Sequence, residues 1–119
     1  LSISDRAEET AVRAAEISRM FEGKVRAVRS KEKYVDIMAV GVSKAASIER
    51  LAASLGISLQ EVLALGDSDN DCEMLAAAGI GVAMTTGTAA AREAADFLAD
   101  NEAADGVARA VHAYVLEGK

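Results

Sequence analysis

The chain has 119 residues and a formal charge of −6, a length that suits one compact domain with a real core. Just over half of the residues are apolar, many of them alanine, and the chain has no Trp or Pro; this is a helix-favouring globular composition. The acidic balance argues against nucleic acid as a partner, and the lack of a long apolar run or leader pattern leads us to expect neither a membrane nor a secretory route.

Leu1-Ser2-Ile3-Ser4 reads as a strand already under way, so the sequence is expected to begin inside a larger protein. Ala7, Ala11, Ala14, Ile17 and Phe21 recur at helical spacing, which predicts a helix over 6–22 that Gly23 stops. Residues 24–30 and 33–39 read as two strands of a hairpin. Lys24, Arg26, Arg29, Lys31 and Lys33 cluster there, but Glu32 and apolar residues interrupt them, as on a solvated strand face. After Gly41 the pattern changes. Ser43 is a candidate N-cap for a helix to about Leu55, with Gly56 behind it. Val62-Leu63-Ala64-Leu65 is a continuous apolar run of the kind a buried parallel strand shows. A helix over 70–78, a strand over 80–84, a Thr/Gly loop over 85–88, a helix over 89–95, a minimal strand at Phe97-Leu98 and a last helix over 106–116 capped by Asp105 complete the chain. Alternating helix and strand imply an α/β fold with a parallel, doubly wound sheet.

The stretch richest in chemistry is Gly66-Asp67-Ser68-Asp69-Asn70-Asp71. It follows a buried strand, and open α/β sheets bind ligands beyond the carboxyl ends of their strands. Clustered carboxylates repel and are costly to bury unpaired; a hard cation such as Mg2+, which takes oxygen ligands, resolves that conflict. The bland alternative is a solvated turn with Asn70 or Asp71 capping a helix. An EF-hand loop is excluded, because Cys72 stands where that loop needs glycine and Ala78 where it needs glutamate. Lys44 opens its helix, where a cation opposes the helix dipole but where anions are favoured. Read alone it is an exposed lysine; read with a phosphate it is a charge partner. The single cysteine, Cys72, permits no internal disulfide and fits a reducing cytoplasm. With His112 forty residues away it reads as packing, not as a nucleophile.

Gly41-Val42-Ser43-Lys44, the Gly66-to-Asp71 block, Met74-Leu75 and Ala78-Gly79-Ile80-Gly81-Val82-Ala83-Met84 together resemble the Cof-type (subclass IIB) phosphatases of the haloacid dehalogenase superfamily. Glu93-Ala94-Ala95-Asp96 and Asp105-Gly106-Val107 continue the match in order, and the resemblance covers residues 41–116. It implies a Rossmann-like core, with 41–119 as its C-terminal half and 1–40 as the end of an α/β cap. It implies a Mg2+-dependent hydrolysis of small-metabolite phosphomonoesters, sugar phosphates or phosphoglycolate-like esters, through an aspartyl-phosphate. By position, Lys44 is the lysine that neutralises phosphate and nucleophile. Asp67 is the acidic metal ligand, and Asp71 supports the metal directly or through water. Asn70 orients the lysine or contacts phosphate.

Two departures matter. The family opens its core with Asp-x-Asp, and the only aspartates ahead of Lys44, Asp5 and Asp36, are not followed by Asp two positions later. The nucleophile is therefore expected in a missing N-terminal half, and the chain alone is expected to be inactive. After Gly-Val-Ala-Met the subgroup usually has Gly-Asn-Ala; here Thr85-Thr86-Gly87 stands there, so Thr86 takes the place of the substrate-loop Asn. Two rivals share the acidic block: the phosphorylation domain of a cation-pumping ATPase, against which the polar tail Glu117-Gly118-Lys119 counts, and a non-catalytic module that binds metal or phosphate.

Overall fold

A computed structural model describes residues 1–100 and 105–118. The chain divides into two compact units, Leu1–Ser43 and Lys44–Lys119.

In the first unit, strands β1 (Ser2–Ser4), β2 (Val25–Lys31) and β3 (Tyr34–Ala39) form an antiparallel sheet in the order β1-β3-β2, with helix α1 (Thr10–Met20) packed on it. Ala14 from the helix, Ala27 and Val35 from the sheet are buried together, with Ile3, Ile17 and Ile37 around them. The helix begins later than the periodicity of its apolar residues predicts. Residues 6–9 are taken up by a turn in which the Glu9 and Thr10 amides both bond the Arg6 carbonyl, and Thr10 is fully buried at the helix start. Its hydroxyl lies 3.0 Å from the carbonyl oxygens of both Ala7 and Glu32, its one proton shared between them. That contact ties the helix to the β2–β3 turn, beside an irregularity in register between Arg29 and Lys31.

In the second unit, β4 (Leu63–Gly66), β5 (Ile80–Met84) and β6 (Phe97–Ala99) form a parallel sheet in sequence order, as the α/β reading expects. The helices are α2 (Lys44–Leu55), α3 (Cys72–Ala77), α4 (Ala89–Ala94) and α5 (Gly106–Val111). Successive residues of β5 serve opposite faces. Ala83 packs with Ala64, Leu75, Ala78 and Ala91, whereas Val82 and Met84 pack with Ala99 and Ala110. Burial on both faces is why these strands read as continuous apolar runs rather than alternating ones. Among the described residues, no helix is long and apolar enough to cross a membrane.

Two elements of this unit also differ from expectation. The helix read as 70–78 starts with a 3-10 turn, Asp69–Asp71, because the Asp71 carboxylate bonds backward to the loop instead of capping forward. The last helix is α-helical only to Val111 and continues as a π turn, His112–Leu116, in which the Glu117 amide reaches the His112 carbonyl. Tyr114 in this wider turn stacks on Phe97, with ring centroids 4.5 Å apart. Asp105 makes no side-chain cap bond.

Candidate active site

The acidic block leaves β4 at its carboxyl end. Gly66 is required there for a reason other than a turn, since its φ is not positive. A Cβ on Gly66 would stand 2.6–2.9 Å from the Cβ, Cγ and Oδ2 of Asp71, so the missing side chain is what lets the Asp71 carboxylate fold back under the strand.

Asp71 is 3 % exposed. Its Oδ2 accepts the backbone N–H groups of Asp67 and Ser68, each at 3.0 Å, and its Oδ1 accepts the Lys44 ammonium. Burial pushes the carboxyl up, but the Lys44 hydrogen bond and the two backbone donors outweigh it and hold the pKa below the ordinary value. Lys44 is the first residue of α2; its side chain is half exposed and spans to the buried acid. A lysine unfavourable for its own helix dipole is thus compensated by a tertiary carboxylate.

Asp67 is different. It is exposed, and its Oδ1 accepts the Ser68 hydroxyl at 2.8 Å. Its backbone carbonyl accepts the Thr88 amide at 2.9 Å, so the loop after β5 is docked against it. Thr86 lies exposed on that loop. Asn70 is half-buried, and its Oδ1 is fully buried and accepts no hydrogen bond within the described residues. Lys44, Asp67 and Asp71 share an open depression of about 420 Å³ with the apolar Leu65, Met74, Met84 and Val107. At Cys72, next in the chain, burial first, then the Asp69 charge, pushes the thiol up, which disfavours thiolate.

The structure therefore brings Lys44, Asp67 and Asp71 to one place. The exposed Asp67 carboxylate suits a hard cation such as Mg2+, and the Lys44 ammonium suits an anion beside it. The set is incomplete, since among the described residues no three His, Cys, Asp or Glu side chains converge as metal ligands. Sequence reasoning missed the part played by Arg92. Its guanidinium Nη1 bonds the carbonyls of Thr85 and Gly87, a contact that no spacing rule announces.

The sequence model of haloacid dehalogenase-like hydrolases matches residues 1–111. The chain is 39 % identical over 82 residues to 5-amino-6-(5-phospho-D-ribitylamino)uracil phosphatase YcsE of Bacillus subtilis (strain 168), covering 69 % of this chain and 33 % of that protein. It is 41 % identical over 80 residues to a phosphoglycolate phosphatase of Methanoculleus marisnigri, covering 67 % and 34 %. The chain thus spans about a third of the length of these curated relatives. Among solved structures, the HAD subclass IIB sugar phosphatase BT4131 superposes with a TM-score of 0.77 at 27 % identity, over 88 % of this chain and 40 % of that one.

Proposed function

Since the chain belongs to the haloacid dehalogenase-like hydrolases, in their Cof-type branch, we propose that it forms the lysine and acidic-loop side of an active site that hydrolyses phosphate monoesters of small metabolites. The observation that carries this is the bond from Lys44 to the buried Asp71 at the carboxyl end of β4. It fixes a positive charge beside an exposed carboxylate, which is what a transferring phosphoryl group and its metal require.

Each residue has a separate task in this reading. Lys44 offsets charge on the phosphate, and Asp71 holds Lys44 and closes the loop. Asp67, exposed and lightly bonded, is the residue on this chain that would hold Mg2+; Asp71 has both oxygens engaged and acts on the metal only indirectly. Mg2+ when bound supplies further neutralisation of the transferring group. Asn70 and Thr86 are the candidates for contact with phosphate or substrate. The attacking carboxylate comes from a segment outside this sequence. Its oxygen would bond to phosphorus as the ester P–O bond breaks and the leaving oxygen takes a proton from a general acid of that same segment; water would then attack phosphorus, releasing inorganic phosphate and restoring the carboxylate. Residues 1–40 are read as the end of a cap and 41–119 as the C-terminal half of the core; the antiparallel sheet of the first unit and the parallel sheet of the second support that assignment. The names of the phosphoglycolate phosphatase and of the sugar phosphatase BT4131 favour phosphoglycolate-like esters or sugar phosphates. A cytoplasmic setting suits the lone thiol.

The test is phosphate release by the full protein from a panel of small phosphomonoesters, with and without Mg2+. We expect Mg2+-dependent hydrolysis that Asp67→Ala reduces by about 10³-fold or more. No release from any ester overturns the reading. The 119-residue chain alone should bind Mg2+ weakly and leave an aryl phosphate intact; hydrolysis abolished by Asp67→Ala in that chain would place the nucleophile within this sequence.

A further inference from the structure

Arg92 sits in the last turn of α4, where a cation ordinarily serves the carbonyl end of its own helix. Here the guanidinium reaches the other way. Its Nη1 donates to the carbonyl of Gly87 and, at 3.3 Å, to that of Thr85, both in the loop that leads into the helix.

Other bonds also shape that loop, and one of them reaches Asp67. The Gly87 amide bonds the Met84 carbonyl at 2.9 Å and closes a turn. The Thr85 amide bonds the Ala99 carbonyl at 2.9 Å and ties the loop to β6. The Thr88 hydroxyl accepts from the Ala91 amide at 3.2 Å, while the Thr88 amide donates to the Asp67 carbonyl at 2.9 Å. A Cβ on Gly87 would lie 2.8 Å from the Asp67 carbonyl oxygen and 3.0 Å from its Cα, so the loop rests directly on the backbone of Asp67. The Asp67 carboxylate itself is exposed, with Ser68 beside it. The Asp67 backbone is held on two sides, the amide by the Asp71 Oδ2 and the carbonyl by the Thr88 amide of the loop.

We infer that Arg92 is a positioning residue for Asp67, clamping loop 85–88 through the Thr85 and Gly87 carbonyls so that the Thr88 amide fixes the acidic loop. The clamp stands on geometry alone; its consequence for metal binding rests on the phosphatase reading. Loss of the guanidinium leaves two carbonyls to water, the loop loosens, and the Asp67 carboxylate samples directions that do not meet a cation. Groups that orient a metal ligand from behind typically matter by about 10–100-fold in metal affinity.

The experiment compares the full protein with Arg92→Ala and Arg92→Lys. In Arg92→Ala the Mg2+ concentration for half-maximal hydrolysis should rise about tenfold or more, with a smaller loss of rate at saturating Mg2+. Calorimetric Mg2+ affinity should fall by the same factor, and hydrogen exchange of the Thr88 amide should quicken. Arg92→Lys should recover part of each change, since one ammonium can still reach one carbonyl. A folded Arg92→Ala with unchanged Mg2+ affinity and unchanged Thr88 exchange overturns the inference, as does a loss that only tracks the thermal midpoint. If the wild-type protein shows no Mg2+-dependent hydrolysis, the phosphatase reading fails, and Thr88 exchange still decides the clamp: faster exchange supports it and unchanged exchange sinks it. Should Arg92→Ala not fold, Arg92→Lys and Arg92→Gln carry the same comparison.

Discussion

Each of the two units contains an aspartate paired with a cation, and the two pairs do different things. Asp5 accepts the Arg13 Nε at 3.0 Å and the Arg6 amide at 2.8 Å. Asp71 accepts the Lys44 ammonium and two amides. Both carboxyls are held below their ordinary pKa, but the balance behind each is reversed. For Asp5 the Arg13 hydrogen bond is the largest influence. For Asp71 the largest influence is burial, which raises the pKa, and only three donors together overcome it. A pair at the surface can exchange its bonds for water; a buried pair holds only where other donors join the cation, as two amides do at Asp71. The same chemistry is surface decoration in one unit and a scaffold in the other.

Removing the cation of the buried pair should have the largest effect. In the full protein Lys44→Ala should lower kcat by roughly 10²-fold, about 3 kcal/mol of barrier, as for other fixed charge donors, measured under saturating Mg2+ and substrate. Folding stability should fall too, because the buried Asp71 carboxylate keeps its two backbone donors but loses its cation. A loss confined to KM would place Lys44 in substrate binding alone.

Removing the acid should cost stability as well. Asp71→Ala strips the acceptor from the Asp67 and Ser68 amides, and buried donors left unmet cost about 1–3 kcal/mol. We expect about 2 kcal/mol in a denaturant titration, together with slow turnover. Asp71→Asn separates the two roles. Its amide oxygen can still accept the backbone donors and recover much of the stability, but its NH2 cannot hold an ammonium, so turnover should remain slow. If Asp71→Asn restores turnover too, Lys44 does not depend on a charged partner.

The contrast also sets a pH dependence. A carboxyl with a lowered folded-state pKa contributes stability that is fully present above its ordinary value of 3.8 and is lost as pH falls through the lower folded value. Unfolding midpoints from pH 6 to pH 2.5 should therefore fall on the acid side, and Asp71→Asn should flatten that fall. An unaltered profile would move the burden to other carboxylates.

How much of this was legible in the sequence follows from what is local. The β5 run Ile80 to Met84 was legible because both its faces are buried and no alternation intrudes. The acidic loop was legible because carboxylates after an apolar strand have few places to go. Lys44 was legible only by family resemblance, since its own helix argues against it. Long-range contacts were not. Nothing near Thr10 announces Glu32, nothing in the Ala-rich helix α4 announces the reach of Arg92, and nothing in the acidic block announces that Gly66 makes room for Asp71. The π turn after Val111 likewise involves i-to-i+5 bonding that apolar spacing does not distinguish from an α-helix.

The smallest effect should come from the exposed pair. In Asp5→Asn the amide oxygen can still accept the Arg6 amide, so no backbone donor is stranded. Arg13 loses one charged partner but keeps Glu16 at 3.1 Å, and its side chain is nearly half exposed, so water takes the remaining bonds. Exposed pairs are also screened by salt, whereas a buried pair is screened much less. Denaturant midpoints of wild type and Asp5→Asn should therefore nearly coincide at low salt and coincide at high salt, with turnover unchanged in both. The difference between wild type and Asp71→Ala should persist at high salt, because it comes mainly from unmet backbone donors rather than from screened charge. A loss in Asp5→Asn as large as that in Asp71→Ala would mean that Asp5 closes the start of α1 as Asp71 closes the acidic loop, and the contrast between the two units would fall.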